Sequence, residues 1–433
     1  MKKPVELGAV VFSLLLWSCG GDSSPTASTS TPTPVATSIT LSVTSLSFNS
    51  LGATSQISAT VKDQNDATMA SATVTWATSD AAVATVSVGG LVTSVADGTA
   101  TITAMSGSAS ATATTTVSSG NRLWIDTHAH PVGLPGTCFT ESCLDATIEI
   151  MEAYGVERAL LMNPPSLKVR FDQEDAIAEA VALRPDRFYY VGGGASLNGM
   201  IHQGTRSEAT FANMAQELIE AGAVGFGETA SLHLSYSDKH AFEEISPNRE
   251  WFRVLADLAV THDVVIDMHM DVVVETKTTP GFFTARSNNN PSEIHGNIND
   301  FKLLLDYNTE ARIVWAHVGR DTTGDMRAQL VGNMLAAHDN LYIQVHPLNV
   351  PLHSQNAIVD EEGIIRTEWL QVLEDYPTRV VMGSDVFFVG GETKTRPLAA
   401  TQSFLQQLSE ELAYQIGCEN PVAIYKLSAG CSR

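Results

Sequence analysis

The chain has 433 residues, of which 44% are hydrophobic and 17% are charged, and these values predict two or three globular domains and exclude a disordered protein. The formal net charge of -23 and the pI of about 4.8 argue against a general nucleic-acid-binding or anionic-membrane-binding surface, because binding phosphate requires Lys and Arg. This charge is still compatible with a small anionic substrate held by one or two arginines.

The first segment is predicted to be a secretory signal. Lys2 and Lys3 precede an apolar run, Leu7 to Trp17, that is too short to span a bilayer as a helix. The run leads into Ser18-Cys19-Gly20, which resembles a bacterial lipobox and implies a lipidated Cys19. We therefore expect residues 1–19 to be a lipoprotein signal peptide. The protein would be held in the bacterial cell envelope by this lipid alone, at the outer membrane on its periplasmic or surface face. The alternative is an ordinary signal peptide with a chance cysteine.

The remaining cysteines agree with export to an oxidising compartment, because their number is even. They are Cys138, Cys143, Cys418 and Cys431. Three pairings are open to four cysteines, and proximity in sequence favours Cys138 with Cys143 and Cys418 with Cys431.

The next two segments differ in composition. Residues 20–37 are mostly Ser, Thr, Pro, Ala and Gly, so we expect an extended linker with too little apolar surface to fold. Residues 38–119 contain short runs rich in Thr, Val, Ser and Ala separated by turn residues, which predicts a β-sandwich of about seven strands with Trp76 in its core.

A family resemblance supports the sandwich. The stretches Val74-Thr75-Trp76-Ala77-Thr78-Ser79-Asp80 and Gly98-Thr99-Ala100-Thr101-Ile102-Thr103-Ala104 resemble the bacterial Ig-like group 2 family. Residues 38–119 contain no His or Cys, so we favour a rigid spacer over an adhesive or carbohydrate-binding role.

From residue 121 to residue 433, apolar runs alternate with amphipathic helical patterns, which predicts a (β/α)8 barrel, also called a TIM barrel. An open doubly wound sheet is the second choice. The eight predicted strands are Leu123 to His130, Val156 to Asn163, Phe188 to Ala195, Ala223 to Thr229, Val264 to Met270, Ile313 to Val318, Leu341 to Val345 and Val380 to Ser384.

Residues that can bind metals lie at the carboxyl ends of these strands, and in a barrel all of these ends open on one face. His128 and His130 lie two residues apart on one strand, so their side chains point to the same face of the sheet. The predicted metal ligands are His128, His130, Glu228, His269, His317 and Asp385. Each of them alone could be a structural residue, but their joint placement favours a metal centre. It also favours the barrel over the open doubly wound sheet, because the barrel brings all of these strand ends to one face.

The order of these ligands resembles the amidohydrolase superfamily, in particular its amidohydrolase-related branch. The pattern consists of the His128-x-His130 pair on strand one, His269 and His317 on strands five and six, and Asp385 on strand eight. That branch includes decarboxylases similar to aminocarboxymuconate semialdehyde decarboxylase. The resemblance covers the whole barrel and implies a metal-dependent enzyme.

The residue on strand four decides how many ions to expect. Glu228 lies in a Gly-Glu-Thr turn similar to that of TatD-like hydrolases, and a carboxylate there can bridge two ions. The resemblance then implies one ion on His128, His130 and Asp385 and a second on His269 and His317. If Glu228 faces away, a single ion would leave His317 free to bind substrate. Zinc is the favoured metal, with manganese and iron as alternatives.

These ligands predict hydrolysis of an amide, lactone or ester bond in a small molecule, with Asp385 and His317 as catalytic residues. A metal-dependent decarboxylase is the first alternative, and a non-catalytic surface-binding lipoprotein is the second. Arg320, three residues after His317, is a candidate for binding an anionic substrate, and His346 is a candidate for lining the same site. The long stretch from Asp271 to Gly296 on the catalytic face is predicted to be a substrate lid.

Overall fold

The computed structural model describes residues 33–48, 52–118, 120–131, 140–204, 207–348, 355–388 and 395–432. Cys19 and the rest of the predicted signal peptide lie outside these ranges, as do most of the linker and Cys138. Within the described ranges, no helix is both long and apolar enough to cross a membrane.

The N-terminal domain is a β-sandwich, which confirms the predicted fold class. Its nine strands are Ala36–Leu41, Ser45–Phe48, Thr54–Gln56, Ala59–Asp63, Thr75–Thr78, Ala84–Val86, Leu91–Ser94, Gly98–Ser106 and Ala109–Val117. They form sheets of two, four and three strands, in which every pair is antiparallel except Ser45–Phe48 with Ala109–Val117.

Alternation of side chains along the strands builds the sandwich core. In Gly98–Ser106 the residues Ala100, Ile102 and Ala104 are buried, whereas those between them are more exposed. Trp76 is half-buried and packs against the core clusters on both sides of it. Strands Thr54–Gln56 and Ala59–Asp63 follow each other closely in sequence. They are separated at Ile57, whose side chain is fully buried and whose N–H bonds to the Gly90 carbonyl.

The second domain is the predicted (β/α)8 barrel. Its parallel strands are Trp124–His130, Val156–Met162, Phe188–Gly193, Ala223–His233, Val265–Met270, Arg312–Val318, Leu341–Val345 and a last strand in two pieces, Val380–Met382 and Val386–Phe387. Each strand pairs with the next one in sequence. The second piece of the last strand pairs with Trp124–His130, and this pairing closes the barrel.

The strands are apolar on both faces because each face packs in a different core. Trp124 points outwards into the layer between sheet and helices, and its neighbour Ile125 points into the barrel. The helices described in this domain are Glu141–Ala153, Phe171–Leu183, Leu197–Gln203, Glu208–Glu220, Glu250–His262, Gly281–Thr284, Ile298–Tyr307, Ala328–Ala337, Thr367–Asp375, Arg396–Gln406, Glu410–Tyr414 and Asn420–Tyr425.

Two further features bear on the sequence predictions. The stretch from Asp271 to Gly296 contains a small hairpin, Lys277–Thr278 with Glu293–Ile294, and packs through the buried Phe283. Cys418 and Cys431 form a disulfide. Cys143 is also disulfide-bonded.

Candidate metal centre

Six side chains from five strands converge at one end of the barrel. His128 and His130 come from the first strand, and the others come from the fourth, fifth, sixth and eighth strands or the residues that follow them. All are buried except Asp385, whose side chain is 16% exposed. They are the six predicted metal ligands: His128, His130, Glu228, His269, His317 and Asp385.

Two ligands, His317 and Asp385, have unusual backbone conformations that hydrogen bonds from their own N–H groups stabilise. His317 and Asp385 have positive φ angles of 59° and 54°, which non-glycine residues rarely adopt. The His317 N–H donates to Gln344 Oε1 at 2.7 Å, and the Asp385 N–H donates to the His128 carbonyl at 2.9 Å. These bonds compensate for the strain and turn both side chains into the site.

Asp126 links the first strand to the last. Its Oδ1 accepts hydrogen bonds from the backbone N–H of Ser384 at 2.9 Å and of His128 at 3.2 Å. Burial raises the pKa of Asp126 to about 6, although the hydrogen bonds from Ser384 oppose the rise. Asp126 therefore holds His128 and Asp385 in register although they are far apart in sequence.

The carboxylate of Glu228 lies between two pairs of histidines. Its Oε2 is 3.4 Å from His128 Nε2 and 3.5 Å from His130 Nε2. Its Oε1 is 2.8 Å from His269 Nδ1 and 3.2 Å from His317 Nε2. One oxygen thus faces each pair, and the alternative in which Glu228 faces away does not apply to this structure.

The spacing around His130 suits a shared cation. Its Nδ1 lies 3.0 Å from the Met162 carbonyl and can donate to it, which leaves the Nε2 lone pair directed at the site. That Nε2 is 3.2 Å from Asp385 Oδ1. A tetrahedron with zinc–ligand bonds of about 2.1 Å has edges of about 3.4 Å, close to these separations and longer than an ordinary charged hydrogen bond.

Three overlapping sets of ligand atoms lie within 4.8 Å of one another: His128 with His130 and Glu228, His128 with His317 and Asp385, and Glu228 with His269 and His317. Among the described residues, neither nitrogen of the buried His128 ring has a well-aligned hydrogen-bond partner, although Nδ1 lies 3.2 Å from Asp267 Oδ1. Nε2 on the other side of the ring is therefore available to a metal ion. The residues present therefore fit a divalent metal centre, in which Glu228 belongs to two sets.

The charges at the site are those that a cation needs. Burial alone would raise the pKa of Glu228, but His128, His269 and His317 hold it well below its usual value. Burial likewise opposes ionisation of Asp385, yet His317 and His130 keep its pKa well below its ordinary range. Both carboxylates are therefore ionised at neutral pH, which metal binding requires.

The structure brings the two predicted substrate-binding residues to the same site. Arg320 is largely buried and donates to Asp385 Oδ2 at 3.1 Å and to the Tyr236 hydroxyl at 2.6 Å, and its Nε has no hydrogen-bond partner in the part of the chain that the structure describes. The ring of His346 is buried 5.6 Å from that of His317, and neither of its nitrogens has a hydrogen-bond partner within the described ranges. Burial and the nearby Arg320 keep the pKa of His346 well below 6.5, so the ring is neutral.

Sequence reasoning missed several residues at the site, among them Asp267 and Tyr236. Asp267 Oδ1 lies 3.2 Å from His128 Nδ1, and Tyr236 bridges Arg320 to the ring of Phe283 in the Asp271 to Gly296 stretch. A signal for Asp267 was present, because it stands two residues before His269 on one strand and shares its face. Tyr236 follows the fourth strand and carried no such signal.

Comparison with known proteins identifies the first domain. Residues 35–117 match the family model of the bacterial Ig-like domain (group 2). Among solved structures, domains 5-6 of the S-layer protein SbsC are similar at 27% identity over 21% of this chain and 48% of that chain, with a TM-score of 0.19. The chain thus spans about half the length of that structure. No match was found among curated proteins.

The barrel has more distant structural neighbours. An uncharacterised TIM-barrel protein from Bordetella bronchiseptica is 14% identical over 70% of this chain and 99% of that chain, with a TM-score of 0.44. N-isopropylammelide isopropylaminohydrolase from Burkholderia multivorans ATCC 17616 is 12% identical over 77% and 85% of the two chains, with a TM-score of 0.39. At these values neither neighbour carries an argument about chemistry, which has to come from the site.

Proposed function

We propose that the barrel is a metal-dependent hydrolase that cleaves an amide, lactone or ester bond of a small molecule. The observation that carries this proposal is the position of Glu228, with one carboxylate oxygen toward His128 and His130 and the other toward His269 and His317. A carboxylate placed in this way suits two cations, and a pair of cations suits attack by water on a carbonyl.

The residues of the chain have distinct proposed roles. When bound, such ions lower the pKa of water and polarise a carbonyl oxygen. Asp385 is the proposed general base: it takes a proton from the attacking water and gives it to the leaving group. Arg320 bonds to the second oxygen of Asp385 and so holds the carboxylate in one orientation. His317 is proposed to act beside it, as a ligand or as a hydrogen-bond donor to substrate.

A small anionic substrate is the second part of the proposal. Among the described residues, Arg320 Nε and both nitrogens of His346 are buried polar atoms without hydrogen-bond partners, and leaving such an atom unpaired costs about 1–3 kcal/mol. A substrate carboxylate, or another oxyanion, would accept hydrogen bonds from Arg320 Nε and from the single N–H of the neutral His346 ring. The same groups favour one alternative reaction, decarboxylation, because a decarboxylase must also bind a carboxylate beside its metal.

Zinc is the proposed metal, since imidazole nitrogens and carboxylates are ligands that it takes readily, with manganese and iron as alternatives. The test is metal analysis of purified protein followed by a screen of lactones, amides and aromatic carboxylic acids. Hydrolysis products without carbon dioxide support the hydrolase, and release of carbon dioxide supports the decarboxylase. A protein that binds no divalent metal refutes both reactions and leaves a non-catalytic surface lipoprotein.

We also propose that the protein is exported and lipid-anchored through Cys19 in the bacterial cell envelope. The Cys418–Cys431 disulfide supports an oxidising compartment. Labelling with a radioactive fatty acid tests the anchor: wild type should incorporate label and Cys19→Ala should not. Label in neither protein would refute the anchor.

A further inference from the structure

The C-terminal segment forms a plug at the end of the barrel opposite the metal centre. Helix Asn420–Tyr425 and the following Leu427 pack against side chains that point into the barrel. This interior cluster contains Ile125, Leu160, Val191, Val265, Val314 and Val381 together with Ile424, Tyr425 and Leu427 of the plug. The plug therefore completes the barrel core at the end opposite the metal centre.

Covalent and polar contacts hold the plug in place. The Cys418–Cys431 disulfide encloses the whole plug in a loop, and Cys418 itself is 1% exposed. Asn420 Nδ2 donates at 2.6 Å to the carbonyls of both Pro377 and Val380, at the start of the last strand. The hydroxyl of Tyr189 binds the segment after the helix through Ser428 and Ala429. The position of the plug is thus fixed from several sides.

One side chain of the plug reaches the metal centre through a single intermediary. The Tyr425 hydroxyl donates to Asp267 Oδ2 at 3.2 Å. The other oxygen of Asp267 lies 3.2 Å from His128 Nδ1, although the pair is not aligned as a hydrogen bond. All three side chains are buried, with Tyr425 at 2% exposure and Asp267 and His128 at 0%. The three residues form a continuous row from the plug to a predicted ligand.

We infer that Tyr425 is a positioning residue for the metal centre, and this inference rests on the proposed metal-dependent function. A ligand histidine that offers Nε2 to a cation carries its proton on Nδ1, and Asp267 Oδ1 faces that atom. The hydroxyl of Tyr425 anchors the opposite oxygen and so keeps the carboxylate from turning away. The disulfide-closed plug thereby sets the orientation of His128.

The test compares two tyrosines of the same cluster. Tyr425→Phe removes the hydroxyl that binds Asp267. Tyr189→Phe removes a hydroxyl whose hydrogen bonds, among the described residues, go to Ser428 and to the backbone of Ala429 in the plug. Zinc affinity is measured on the full-length protein by competition with a chromophoric chelator, and folding is checked by circular dichroism. Losing a direct partner of a metal ligand usually weakens metal binding about 10–100-fold, and Tyr425 acts one residue further out. We therefore expect Tyr425→Phe to weaken zinc binding by about tenfold, the lower end of that range, and Tyr189→Phe to change it less than about twofold.

A third variant separates positioning from general destabilisation. In Asp267→Asn the intermediary is altered, so adding Tyr425→Phe to it should cause less than about a threefold further loss of affinity. Equal zinc affinity in wild type and Tyr425→Phe overturns the inference, and so does an equal loss in both tyrosine variants. A wild-type protein that binds no zinc, manganese or iron overturns the proposed function together with this inference. Metal binding by wild type with an unaffected Tyr425→Phe overturns the inference alone.

Discussion

Arg320 Nη1 donates to Asp385 Oδ2 at 3.1 Å, while Arg320 Nη2 donates to the Tyr236 hydroxyl. The guanidinium of Arg320 thus binds both the proposed base, Asp385, and Tyr236, which follows the fourth strand. Burial opposes the charge of Arg320, but Tyr236 and Asp385 raise its pKa above the ordinary value, so it remains cationic at every working pH. We expect this pair to govern both the orientation of the base and the entry of substrate.

Arg320→Lys tests this relationship. A lysine keeps the charge but cannot donate to Asp385 and Tyr236 from two fixed nitrogens, so kcat should fall on the order of tenfold. Steady-state kinetics measures the change, and Arg327→Lys, at an exposed position, is the matched control. A rise in KM at unchanged kcat would assign Arg320 to substrate binding alone.

Much of the architecture followed from the sequence because parallel barrel strands are apolar on both faces. The predicted strand from Leu341 to Val345 has the observed bounds, and most other strands differ by one or two residues at one end. The fourth strand extends to His233, four residues beyond the predicted end at Thr229. It pairs there with Glu243–Glu244, an antiparallel partner that apolar periodicity does not reveal.

The centre itself was only partly accessible from the sequence. Residues at strand ends must converge in a barrel, so the six ligands could be listed before any coordinates were known. The orientation of Glu228 could not, because it depends on side-chain packing across three strands. The contact of Tyr425 with Asp267 joins residues 158 positions apart, through a helix whose docking inside the barrel no local pattern specifies.

Removal of all residues through Ser118 should leave a folded and active barrel. The two domains have separate hydrophobic clusters, and all six predicted ligands follow residue 120. We expect kcat/KM of the truncated protein to lie within about twofold of the full-length value, and a thermal melt checks the fold. A folded truncation that has lost turnover would contradict the spacer role of the Ig-like domain.

Glu243 should make the stability of the barrel depend on pH. Its carboxyl is 1% exposed, and Asn198 Nδ2 donates to it at 2.7 Å. Burial raises its pKa from 4.5 to about 7, with the Asn198 bond in opposition. Since the folded pKa is the higher one, the carboxyl favours folding below pH 4.5, and this contribution is lost as pH rises through 7.

The variant Glu243→Gln cannot ionise and should remove that dependence. Relative to wild type, it should gain about 3 kcal/mol of unfolding free energy between pH 4.5 and pH 8.5, measured by urea titration of the barrel transition. Glu217→Gln, on the exposed face of helix Glu208–Glu220, is the control and should run parallel to wild type. If Glu243→Gln also runs parallel, the carboxyl is not protonated in the folded protein.

Glu228→Gln tests the two-ion centre most directly. The amide removes the negative charge between the two histidine pairs and turns an N–H donor toward one of them, so a second cation loses its shared ligand. Metal content should fall from about two ions per chain towards one, by mass spectrometry of dialysed protein, and turnover should drop at least about a hundredfold. Glu217→Gln should keep both values. His128→Ala should abolish activity, because it removes one ligand of the ion that His130 and Asp385 also bind. A wild type with one ion, and a Glu228→Gln variant that keeps that ion and full turnover, would refute bridging and favour the decarboxylase.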